Sequence, residues 1–323
     1  MSDFTQKVDK KFGELLIEKY FPAEPFVYSS NLFNTITDTR KLFPDRKNMF
    51  DRLFEHNINA NSLPQAQKLF PPSNINDLLK LVRLIETDKP TETLQDDLQV
   101  ECLIYYLLLD ANKEAADSYA AVVLIPAGYT HFMNGCHALD RGDMQRAVDE
   151  ITYPGSVSTF PDAVVQALNA EAVAQKKRRE GDELIVRYFD DNTPKCEAPE
   201  STNILIASLA RLDPMAALTY IRALTSTAHK LAFECLVKAC IEERYLGGVW
   251  RLGNLPFTKE EGELLHYALD NVSQDQDLNN DILVTRALHL GNVREAKSLI
   301  NVAMEQRGGE EKWGEYEATL ALY

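Results

Sequence analysis

The sequence predicts an all-α protein, an irregular α-solenoid of stacked helical hairpins. Three observations carry this. Residues 102–109 hold no charge, and from Leu103 onward seven apolar or aromatic residues follow one another. Such a run covers every side of a helix, so the helix must be enclosed by others. A second pattern occurs three times: Asp143, Ala147, Ile151; Asp213, Ala217, Ile221; Asn292, Ala296, Ile300. A cap residue is followed by a small residue four on and Ile eight on, which lie on one helical face and let a neighbouring helix come close. Third, the turn Leu139-x-x-Gly142-Asp143 returns as Leu288-x-x-Gly291-Asn292. Glycine suits the left-handed position after a helix, and Asp or Asn suits the next N-cap. The copies are unequally spaced, so this is no regular tetratricopeptide-type array. Periodicity alone leaves a buried strand open for 102–109; the helical flanks favour helix.

In order along the chain, residues 12–21 read as a short amphipathic helix ended by Pro22 and Pro25. Residues 27–34 have few helix signals and read as extended. Residues 40–57 resume helix, with a stripe at Met49, Phe50, Leu53 and Phe54 and an interruption expected at Pro44. Residues 63–72 read as a turn-rich connector. Ser73 or Asn74 caps a helix carrying Leu78, Leu81, Val82 and Ile85, and 87–97 reads as a polar loop. The enclosed helix of 98–110 follows, then helices at 115–125, 130–140 and 144–152. Pro161 opens a further helix at the position proline prefers. Residues 190–202, with two prolines and no apolar periodicity, read as a linker. Beyond it helices are predicted at 204–212, 214–224, 228–245, 264–269, 282–290 and 293–304, with a break at Gly247-Gly248.

Composition narrows function. Apolar residues at 45%, with thirteen Tyr and fourteen Phe, exclude a disordered chain. The formal charge is 34 minus 49, or −15, which opposes a general nucleic-acid surface and adhesion to anionic membrane. Residues 1–52 carry nine basic against eight acidic side chains, so the excess of acid lies downstream. Cys102, Cys136, Cys196, Cys235 and Cys240 form an odd, unpaired set that reads as reduced thiols. No signal peptide opens the chain, and no apolar run approaches the ~20 residues of a membrane helix.

Candidate chemistry is sparse. His56, His131, His137, His229, His266 and His289 lack the spacing of three or four that metal ligands on one helix need. Cys235 and Cys240 lack the C-x-x-C spacing. Asp275, Asp277, Asn279 and Asp281 resemble the start of a calcium loop, but Asn280 stands where glycine is needed and Arg286 where a bidentate Glu is needed. A polar loop capping a helix at Ile282 is the preferred reading. Asp190-Asp191 is followed by Pro194 where an aspartate-rich metal motif wants a third Asp. Lys176-Lys177-Arg178-Arg179 is the basic cluster, read as a solvated helix end against a nuclear-import signal or phosphate contact. No catalytic, cofactor-binding or metal residue is assigned, and no cofactor is expected. An all-helical enzyme with a site built from distant residues is the alternative, and perturbed carboxylates in a concave pocket would favour it.

The stretch Tyr105-Tyr106-Leu107-Leu108-Leu109-Asp110, the turn Leu139-Asp140-Arg141-Gly142-Asp143 with Ala147, and Pro154 resemble the ELYS-like domain of nuclear-pore assembly proteins. Phe70-Pro71-Pro72 with Asp77-Leu78-Leu79 fits the same pattern, and the resemblance spans roughly 35–250. Met144 stands where the family often has an aromatic. The resemblance implies a structural nucleoporin in the nucleus, at the nuclear pore complex in the nuclear envelope. It implies partners among nucleoporins of the Y-shaped outer-ring subcomplex, on its short arm, and a role in pore assembly and nucleocytoplasmic transport of protein and mRNA. Larger animal relatives add a β-propeller and a chromatin-binding tail. This chain resembles a short, fungal-type form, so neither direct nucleic-acid binding nor membrane insertion is carried over. A helical scaffold of another large assembly is the second reading. The expected organisation is an N-terminal arm at 1–34 with one short helix, a helical domain at 35–190, a soft boundary at 190–202, and a continuation of the stack at 203–323. The arm is expected either to dock a partner or to fold back over the first hairpin.

Overall fold

The computed structural model describes residues 11–22, 24–88, 93–157, 159–242 and 247–307. Among them every regular element is helical. The chain divides into two compact units, Met1–Glu197 and Ala198–Tyr323.

The first unit is built around α6 (Leu94–Ala111), which packs against α1 (Phe12–Tyr20), α3 (Met49–Asn57), α5 (Ile75–Thr87), α7 (Lys113–Val123) and α8 (Ala127–Leu139). Neighbours on so many sides are what an all-apolar helix requires. Cys102, Leu103, Ile104, Tyr105, Tyr106, Leu107 and Leu108 are all buried. The helix starts earlier than its apolar run suggests. Thr93 Oγ1 accepts the N–H of Asp96, and Asp96 Oδ2 accepts that of Thr93, a reciprocal cap that pulls residues 94–97 out of the expected loop.

The recurrent turns behave alike. Gly142 sits at φ +72° and Gly291 at φ +69°. In the first turn the N–H of Asp143 donates to Ala138 O at 2.9 Å; in the second the N–H of Asn292 donates to Ala287 O at 2.8 Å. This is the 6→1 bond of a helix ended by a left-handed residue. The side chains of Asp143, Asp213 and Asn292 then cap α9 (Met144–Ile151), α13 (Pro214–Ala223) and α18 (Val293–Arg307). Ala147, Ile151, Ala217, Ile221, Ala296 and Ile300 are all buried. On α8, Gly135 receives Ile151 where a Cβ would otherwise stand, so that hairpin closes tightly.

Four boundaries differ from the sequence expectation. α2 (Ser30–Leu42) occupies part of the segment read as extended, with Ser29 as its N-cap. α4 (Leu63–Leu69) replaces the expected connector, with Pro64 tolerated in its first turn. α11 (Arg178–Asn192) and α12 (Pro199–Leu212) take most of the expected linker and leave residues 193–198 between them. There the N–H of Glu197 donates to Asp162 Oδ2 at 3.0 Å, on α10 (Pro161–Ala174). Local composition missed these helices because their starts carry serine or proline, which also mark loops, or no side-chain cap at all.

The described part of the N-terminal segment folds back. α1 buries Ile17 and packs on α5 and α6. Glu14 pairs with Arg83 at 2.8 Å, and Lys11 Nζ donates to Glu86 O at 2.9 Å. Tyr28 is buried with its ring centroid 6.4 Å from Phe21 and 6.3 Å from Phe70. Residues 1–10 lie outside the described residues.

In the second unit α14 (Ser226–Glu242) is the centre, packed against α12, α13, α15 (Gly248–Gly253) and α16 (Lys259–Val272). Phe233, Leu236, Val237 and Cys240 fill its inner face, joined by Leu218, Leu252 and Leu265. α17 (Gln276–His289) and α18 form the last hairpin over Val284, Ala287, Ala296 and Ile300.

Two outcomes check this packing. Leu107→Ala removes a fully buried side chain from α6 and is expected to cost about 2–5 kcal/mol in chemical denaturation, with the helical signal of the native state retained. The amides of residues 15–20 are expected to be strongly protected from hydrogen exchange in the isolated protein, because α1 is packed on α5 and α6. Rapid exchange there would mean that α1 stands free in solution.

Candidate functional site

The densest arrangement of polar chemistry lies inside the first unit. Asp140, the C-cap residue of α8, is wholly buried. Its Oδ1 accepts the N–H of Met49 at 2.8 Å, and its Oδ2 accepts the N–H of Phe50 at 2.9 Å and the hydroxyl of Tyr106 at 2.7 Å. Met49 and Phe50 open α3, so the carboxylate meets the positive end of that helix and two of its orphan donors. α3 is also capped locally by Asn48 and Asp51 in a reciprocal pair. Asp51 accepts from Arg40 Nε at 2.6 Å and from its Nη2 at 2.5 Å, a two-pronged grip on α2. Arg40 Nη1 carries the chain of bonds on to Phe70 O at 2.9 Å, just beyond α4.

A second cluster adjoins it. Asp110, near the C-terminus of α6, accepts from Arg141 Nη2 and lies 2.8 Å from His137 Nε2. Burial pushes this carboxyl upward, but the charges of Arg141 and His137 and the hydrogen bond from His137 outweigh it and hold it well below the usual carboxylate range. Burial lowers the pKa of His137, opposed by the charge of Asp110 and the hydrogen bond between them. Glu171 and Thr39 complete the set. Thr39 Oγ1 lies 3.4 Å from Glu171 Oε1 and 3.5 Å from Asp140 O, and Gln175 Nε2 donates to Gly142 O at 2.7 Å. α10 is thereby tied to the same turn.

Perturbed carboxylates are a recognised mark of catalytic sites, and they are present. Burial raises Asp140 to about 6, against the pull of the Tyr106 hydroxyl, Arg141 and the two backbone donors. Burial also raises Glu86 and Glu101 to about 7. Asp140, however, spends its lone pairs on α3 and Tyr106 and has no solvent-exposed surface. The cavity bordered by Leu53, His56, Cys102, Phe132 and Phe160 has a volume of about 100 Å³ and is lined by none of the three acids. Its Cys102 thiol is pushed up to about 12 by burial and the Glu101 charge, so it is no thiolate nucleophile near neutral pH. The arrangement can hold helices in place.

The histidines are dispersed into separate local roles. His131 stacks on Tyr153 with centroids 3.7 Å apart and lies 2.6 Å from Glu150 Oε2. His56 meets the Phe160 ring edge-on, and His229 Nε2 donates to Leu224 O at 2.8 Å. His266 lines an open concavity with Arg286, and His289 is exposed. The described cysteines are free thiols. Asp275 caps α17 through Leu278 N, so the helix begins at Gln276 and Asp277, Asn279 and Asp281 lie within it. This corrects the expected loop capping a helix at Ile282. Asp191 pairs with Arg187 inside α11, not in a linker. The basic cluster spans a turn and the start of α11: Lys176 is left-handed at φ +58°, and Arg178, the first residue of the helix, donates to Asn169 Oδ1 at 2.7 Å. Among the described residues no group of His, Cys, Asp and Glu is placed to hold a metal ion, and no helix is long and apolar enough to cross a membrane. Arg40, Asp51, Asp140 and His137 became visible as a group only through the fold; their sequence signal was no more than polar residues beside apolar stripes.

Asp140→Ala tests whether this network is structural. It leaves Met49 N, Phe50 N and the Tyr106 hydroxyl without their acceptor, and is expected to cost about 3–5 kcal/mol in urea denaturation. A cost below about 1 kcal/mol, within the range of an ordinary surface change, would show that the three donors find other partners.

Known proteins resemble this chain in sequence. Residues 47–272 match the family model described as ELYS, nuclear pore complex assembly. A Schizosaccharomyces pombe protein described as uncharacterized protein ely5 is 26% identical over 276 residues, covering 85% of each chain.

Proposed function

Because this chain belongs to the ELYS family of nuclear pore complex assembly, we propose that it is a non-catalytic nucleoporin of the outer ring. In this reading it sits at the nuclear pore complex in the nuclear envelope. It joins nucleoporins of the Y-shaped scaffold subcomplex, on the short arm, and supports pore assembly and the transport of protein and mRNA through the pore. The observation that carries it is the family match, which spans α3, held by Asp140, and the helices capped by Asp143 and Asp213. The polar network supports it physically. Buried charges paired across helices favour one arrangement of those helices, as a scaffold needs. The second unit continues the hairpin pattern and is assigned to the same scaffold.

The net charge of −15 argues that contact is made to protein rather than to nucleic acid. Affinity purification of tagged full-length protein is expected to recover outer-ring nucleoporins, with recovery unchanged by nuclease. Loss of those partners after nuclease would mean that the link runs through DNA or RNA. Their absence from the untreated eluate would remove the scaffold reading itself.

A further inference from the structure

The seam that holds α1 on the first unit carries more acid than base. Lys11 and Glu14 come to it from the α1 side, Arg83 and Glu86 from α5, and Asp97 and Glu101 from α6. Glu14 is matched by Arg83, 2.8 Å away. Asp97 is exposed in the first turn of α6, and Glu18 and Lys19 are exposed on α1.

Glu86 and Glu101 are placed differently. Glu86 is 6% exposed and stands in the last turn of α5, where the helix dipole opposes a negative charge. Its Oε1 lies against the backbone of Gly13: a Cβ added there would come 3.2 Å from that oxygen and 2.6 Å from Ile104 Cδ1. Only a glycine lets α1 close so tightly over the carboxyl group. Lys11 Nζ donates at 2.9 Å to the main-chain oxygen of Glu86 and not to its carboxylate. On the α6 side of the seam, Glu101 Oε2 is buried without a hydrogen bond. A carboxylate sealed from water without a donor is costly when ionised and far less so when neutral.

The electrostatics follow this geometry. Burial, with the charges of Glu14 and Glu101, raises Glu86 to about 7 against the pull of Lys11 and Arg83. Burial, and then the charge of Asp97, raise Glu101 to about 7 against Lys11. Lys11 is thus shared between two acids and bonded to neither carboxylate.

We infer that this seam is a pH-sensitive latch: neutral Glu86 and Glu101 let α1 lie closed on α5 and α6, and their ionisation loosens it. With α1 released, both groups meet water and return toward the ordinary 4.5. The closed state therefore binds protons more tightly than the open one. The hold on α1 is complete below about 4.5 and is lost progressively as pH rises through about 7. One acid with these two values shifts the closing equilibrium about tenfold between pH 6 and pH 8, and two acting independently about a hundredfold. Opening uncovers Ile17, which is fully buried in the closed state. The latch needs no partner, so its failure leaves the scaffold reading untouched.

Hydrogen exchange of the full-length protein at pH 6 and pH 8, corrected for the intrinsic rate of each amide, tests it. Protection of residues 15–20 is expected to fall about tenfold or more from pH 6 to pH 8, and further than that of residues 132–138 in α8. Glu86→Gln and Glu101→Gln remove the ionisation and keep the shape. Each is expected to flatten the fall and to raise protection of residues 15–20 at pH 8. Equal protection at the two pH values, a fall shared equally by α8, or an undiminished fall in both variants overturns the latch. The carbon-13 shifts of the Glu86 and Glu101 carboxyl groups in the unsubstituted protein give a second check. Titration midpoints well above the ordinary value are expected, and midpoints near 4.5 for both overturn the latch whether or not the variants fold.

Discussion

A carboxylate sealed from water, that of Asp140, is the constraint on which the first unit depends. Two backbone donors at the start of α3 and one phenol on α6 converge on it from positions that share no local sequence. A buried donor without an acceptor is costly, so α3 and α6 cannot leave the end of α8 independently. Aromatic packing reinforces the same junction. Phe50, the second residue of α3, stacks on Phe70 with centroids 3.9 Å apart and tilts toward Tyr106 at 5.5 Å. The polar bonds fix direction and register, and the rings supply the apolar burial around them.

The neighbouring charges are arranged to be consumed within the fold. Asp110 is held well below the usual carboxylate range by Arg141 and His137, and Asp51 is held by Arg40. Buried pairs of this kind contribute less to net stability than to the choice of one arrangement over its rivals.

Much of the helical plan was legible because it is written in short-range terms. The turn at 139–143 and its counterpart at 288–292 need only a glycine, a cap residue and a helix on either side, and both form the expected 6→1 bond. The enclosure of 102–108 follows from an apolar run with no polar face. The misread stretches share a different feature. Ser29, Thr93 and Pro64 have local chemistry that serves loops and helix starts equally, so only the packing of α2, α6 and α4 decides between them. The polar network was not legible at all. Asp140 was noted as part of a turn, while its partners lie 91, 90 and 34 residues away.

By itself, then, the sequence determined the all-α class, the enclosed helix, the recurrent capped turns and the resemblance to a nuclear-pore assembly family. Each depends on neighbours within about eight residues, or on ordered motifs that survive without coordinates. Tertiary structure alone decided that α1 lies back on α5 and α6, that Asp140 caps a helix from across the unit, and that the histidines are scattered among unrelated partners. It also decided that Leu124, left-handed at φ +62°, stands 80% exposed. Burial and long-range hydrogen bonds depend on which helices meet, and local spacing carries no information about that meeting.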